Sequence, residues 1–76
     1  MNNDKRKQLL QASELLEQAK SIIEEVRDAE QECFDNLNEG LQASDRGQQM
    51  EQAVSSMDEA IDNIDTVIGN IEEATI

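Results

Sequence analysis

The sequence predicts an all-α fold: an antiparallel two-helix hairpin, spanning about residues 5–39 and 45–75, that self-associates into a helical bundle. Three observations predict it. Apolar residues recur on a seven-residue beat in two long runs. No proline interrupts either run. Between Phe34 and Gln49 the beat fails, and Gly40 and Gly47 appear there.

In the first run Ala12, Ala19, Val26 and Cys33 form one row. Leu15, Ile22 and Ala29 lie three positions after them. Leu9, Leu16, Ile23 and Leu37 share a third row, with Glu30 as its polar exception. Three such rows make a helical stripe broader than a coiled-coil seam. In the bend, Gly40 is placed to close the first helix in the left-handed conformation, with Leu41 folding back on the last turn. Ser44 or Asp45 can cap the second helix, and Asp45 with Gln48 has capping-box spacing. A connection of about five residues between long helices forces them antiparallel.

The second run repeats the design. Met50, Met57, Ile64 and Ile71 form one row, Ala53, Ala60, Val67 and Ala74 a second, and Val54, Ile61 and Ile68 a third. Its β-branched residues fall on these rows, where packing overrides their weak helix propensity. Small faces large when paired residue numbers sum to about 83, as in Ala12 with Ile71 and Leu16 with Val67. A sum near 86 would instead set Ala19 on Val67. The first register is preferred.

A chain of 76 residues has little interior. Each helix of a lone hairpin buries one stripe, and part of each three-row face stays bare. A homodimer forming a four-helix bundle, or a higher closed oligomer, would cover it.

Composition excludes several function classes. The net charge of −12 opposes direct binding to nucleic acid or anionic lipid. No apolar run is long enough to span a membrane, and no signal-peptide core is present. One cysteine suits a reducing cytoplasm and makes no intrachain disulfide. There is no histidine, so the commonest general base and the usual zinc and di-iron ligand sets are missing. Cys33 falls on an apolar row with no base beside it, which reads as a small buried hydrophobe. Asp58, Asp62 and Asp65 lack the spacing and glycine of a calcium loop. No enzyme activity, cofactor or metal is expected.

Charge is uneven along the chain. Lys5, Arg6 and Lys7 cluster at the start of helix one, beside Glu72 and Glu73 in a hairpin. Glu51, Asp58, Asp65 and Glu72 recur every seventh residue as an expected outward acidic row. At the rise of an α-helix its members stand about 10 Å apart. Such a row keeps the second helix soluble; read more sharply, it imitates nucleic acid to a basic partner protein.

The bend holds the candidate ligand residues. Arg46 and Gly47 fall in the first turn of helix two, where backbone N–H groups favour an anion. Phe34 offers a ring for stacking. Asn36, Gln42, Ser44 and Gln48 supply neutral donors and acceptors. Arg27, two turns earlier, joins them if the bend folds back. The plainer reading is a well-capped turn with Arg46 paired to Asp45 or Glu39 and Phe34 plugging the bundle end.

The stretch Phe34-Asp35-Asn36-Leu37, Glu39, Leu41-Gln42 and Ser44-Asp45-Arg46-Gly47 resembles the bend signature of short acidic helical-hairpin proteins of low-GC Gram-positive bacteria, their phages and mobile elements. Asn38 stands where that group usually has proline. The resemblance implies a phage-type accessory protein. The resulting expectation is a homo-oligomer in the bacterial cytoplasm that sequesters an anionic, cyclic-nucleotide-like immune signal at the bend. The alternatives are an acidic inhibitor of a basic host protein and a structural oligomerisation module.

Overall fold

The computed structural model describes residues 1–76, nearly all of them in helices. Helix α1 spans Asn3–Asp35, a single turn α2 spans Glu39–Gln42, and α3 spans Asp45–Ala74. The molecule is a rod of 58 × 15 × 13 Å. Helix α1 begins at Asn2, whose side chain accepts from the Lys5 N–H at 2.8 Å. That bond satisfies one of the free amides of the first turn.

The two long helices pack against each other and run antiparallel. The Lys20 ammonium donates to Asp65 at 2.7 Å, and the Arg27 guanidinium donates to Asp58 at 3.0 Å. Each pair lies one heptad from the other on both helices, and in both the residue numbers sum to 85. The register therefore falls between the two expected from the rows.

Rotation of the helices about their own axes departs from expectation. The buried row of α3 is Gly47, Val54 and Ile61, with Ile68 half-buried. Val67, expected opposite Leu16, remains exposed. The half-buried positions of α1 centre on Leu9, Leu16, Ile23, Glu30 and Leu37. Ala12 and Ala19 flank them on one side, and Ser13, Lys20, Arg27 and Phe34 on the other. Val26 and Cys33, which the apolar row places inside, face out. The ion pairs accompany this rotation. Placing Lys20 and Arg27 at the seam keeps their charges at its edge, with the stems lying along apolar surface.

The same geometry corrects the acidic row. Asp58 and Asp65 border the seam and neutralise Arg27 and Lys20, so the row is not an unbroken outward acidic face. Hydrogen bonding and attraction from Asp65 raise the Lys20 pKa above its ordinary value. Asp28 and then Asp58 do the same for Arg27.

Candidate functional site: the bend

Helix α1 ends at Asp35, four residues before the expected boundary. Asn36 keeps a helical backbone and donates its N–H to Glu32 O at 3.1 Å. The chain then extends at Asn38, whose side chain accepts from Leu41 N at 2.9 Å and starts α2. This cap is the physical reason that Gly40 does not close α1. Asn38 opens a new turn, so Gly40 sits inside α2, and no glycine has positive φ. Leu41, expected to fold back on α1, is exposed.

A second cap follows six residues later. Ser44 is extended, and its hydroxyl accepts from Gly47 N at 3.3 Å. The same hydroxyl donates to Leu41 O. Ser44, not Asp45, is therefore the cap of α3. Ser44→Ala is expected to cost about 1 kcal/mol of stability, read as a lower midpoint in urea unfolding.

Gly47 is buried, and a Cβ there would lie closer than 3.0 Å to the carbonyl oxygens of both Gln42 and Leu41. The first turn of α3 thus presses directly on the backbone of α2, a contact that a larger residue blocks. Gln42 ties the bend to the end of α1 by donating its side-chain amide to Phe34 O at 3.1 Å.

The candidate ligand residues divide accordingly. Gln42, Ser44 and Gly47 are committed to holding the bend, and the Gly47 amide points at Ser44. Phe34 is half-buried, while Asn36, Arg46 and Gln48 are exposed. Gln48 reaches Ala43 O at 3.5 Å. Arg46 has no ion-pair partner, so the expected pairing with Asp45 or Glu39 is not formed. Arg27 is held by Asp28 and Asp58 along the seam and does not turn toward the bend.

The one surface depression lies beside these residues on the outer face of α3, lined by Asp45, Gln48, Gln49 and Gln52. It offers amides and a carboxylate but no basic group. Of its lining, only Gln48 is among the residues that the sequence marks as ligand-binding. Elsewhere, no three His, Cys, Asp or Glu side chains come together as a metal ion needs. No helix is long and apolar enough to cross a membrane.

Sequence reasoning misses Asn38 as a cap and the Lys20–Asp65 and Arg27–Asp58 pairs. The signal for the first is an asparagine three residues before Leu41. The signal for the second is two cations and two carboxylates, each at heptad spacing.

Fold and bend together define an acidic all-helical rod with a doubly capped turn. No protein-family model, curated protein or solved structure matches the chain.

Proposed function

We propose that the protein acts without chemistry, as a self-associating helical module whose work is done by surface contact. One observation carries this reading. Val54 and Ile61 are the only apolar side chains that the single chain buries almost completely, the rest of the seam being half-buried. A fully buried aliphatic residue contributes roughly 1.5–3 kcal/mol, which is small beside the entropy of ordering two long helices. Assembly supplies the missing burial. The melting temperature is then expected to rise with protein concentration, because association stabilises the fold by mass action. A melting temperature that stays constant from low to high micromolar protein would contradict the reading.

The bend signature supports a phage-type accessory role in a bacterial cytoplasm, through its resemblance to short acidic hairpins of that origin. A second reading, sequestration of an anionic nucleotide-like signal by the oligomer, is favoured by one feature. Arg46 is exposed and unpaired beside the start of α3. Under that reading a panel of cyclic nucleotides raises the melting temperature, and Arg46→Ala abolishes the rise. No shift with any member of the panel removes it. Inhibition of a basic host protein draws less support, since Asp58 and Asp65 are already paired.

A further inference from the structure

The ion pairs fix which sides of the two helices lie together. Lys20 and Arg27 sit four positions after Leu16 and Ile23. At 3.6 residues per turn that is about 40° round α1 from the central row. Asp58 and Asp65 sit four positions after Val54 and Ile61. That is again about 40° round α3 from the buried row. In an antiparallel pair these two rows share one edge of the seam, as their bonds show. The rows one position before the central ones lie about 100° the other way. They share the opposite edge.

That opposite edge is apolar on both helices. It presents Leu15 at 59% exposure and Ile22 at 62% from α1, and Val67 at 42% from α3, with Val26 adjoining at 52%. Alanines occupy the positions between, among them Ala29 and Ala53. The next row outward on α3 is Gln49, Ser56, Asn63 and Asn70, with no charge in it. In a chain of net charge −12, the flank is thus a long strip without carboxylates on its α3 half.

The rod exposes more surface than a compact monomer, as its extents of 58 × 15 × 13 Å require. The chain weighs 8.5 kDa and exposes 5617 Å². A compact monomer of that mass exposes about 4700 Å². The surplus of about 900 Å² over the whole rod is of the order that covering one flank by a second copy would remove, roughly 800 Å² per partner in a standard interface.

Charge sets the orientation. The bend end carries Glu30, Glu32, Asp35, Glu39 and Asp45 against Arg46 alone. The open end holds Lys5, Arg6 and Lys7 together with Asp4, Glu72 and Glu73, so its side-chain charges balance. Two hairpins with bends at the same end would place the acidic ends together. Reversing one separates the two acidic bends and sets each beside the other copy's charge-balanced open end.

We propose that a second copy of this chain docks on the Leu15–Ile22–Val26–Val67 flank, related by a two-fold axis near Ile22, with the two bends at opposite ends of a four-helix bundle. The proposal rests on the self-association inferred above and adds its face and orientation. Each bend then meets the other copy's Lys5–Lys7 segment, so two bends do not form a shared pocket.

The test uses the full chain in sedimentation equilibrium. Wild type is expected to be a dimer. Ile22→Glu sets two unpaired carboxylates at the axis and is expected to weaken the dimer by roughly 100-fold or more. Leu10→Glu, an exposed position on the other edge, leaves it intact. Cross-linking supplies a readout that does not depend on a disruptive variant. Cys33 lies eleven residues from Ile22. The two copies' thiols therefore stand about 33 Å apart along the bundle. Mild oxidation should give no disulfide dimer of wild type, whereas Ile22→Cys in a Cys33→Ser background should cross-link. Ready cross-linking through Cys33 overturns the orientation. A dimer indifferent to Ile22→Glu overturns the face while leaving self-association standing. A monomeric wild type overturns the underlying reading itself.

Discussion

Gly47→Ala is expected to lower the melting temperature by roughly 10 °C. Alanine at an exposed helical position normally stabilises by about 1 kcal/mol relative to glycine. At Gly47 the added methyl meets the carbonyl oxygens of Gln42 and Leu41, which belong to backbone and cannot swing aside. Overpacking of this kind costs about 1–3 kcal/mol, or more when the neighbours are fixed. A net loss near 2 kcal/mol corresponds to about 8–16 °C in a domain of this size. Gly69→Ala is the internal control. No atom lies within 4 Å of a Cβ built at Gly69. That substitution should gain about 1 kcal/mol and raise the melting temperature by about 4–8 °C. Circular dichroism melts of the two variants at equal concentration check the pair. If both variants gain, α3 does not press on the bend.

Ile61→Ala is expected to be the most damaging single truncation, at about 2–5 kcal/mol. Ile61 is 6% exposed and lies in the middle of α3, so the cavity left by truncation has no loop to collapse into it. Leu10 is exposed. Its truncation to alanine should change stability by no more than about 0.5 kcal/mol. Urea unfolding of both variants separates the buried row of α3 from the bare surface. Equal costs would mean that the helices meet through different rows.

The helices and the place of the bend are legible in the sequence because they depend on local signals: heptad periodicity, absence of proline, and a lapse in the beat between Phe34 and Gln49. Their rotation is not. Three apolar rows per helix fit a partner in several ways, and apolar matching alone sets Val67 inward and Lys20 aside. The observed rotation goes with the pairing of Lys20 and Arg27 with Asp65 and Asp58, a long-range match that row counting does not weigh.

The bend resists reading for a different reason. Residues that cap helices and residues that bind small polar ligands are the same types. Asn38, Gln42 and Ser44 bond to the bend's own backbone. Much of the signature Leu41-Gln42…Ser44…Gly47 is thereby explained by the turn itself. Arg46, like Asn36, Glu39 and Asp45, is a member whose side chain makes no bond within the turn. Gly40 is misplaced by sequence reasoning because glycine is the commonest residue after a helix end, while the Asn38 cap gives the chain another turn to make.

The self-association at the centre of this account is tested most directly by native mass spectrometry of the full chain purified from cells. The account predicts a species of twice the 8.5 kDa chain mass. A species of 8.5 kDa alone, at concentrations where the helices are fully formed, would contradict it.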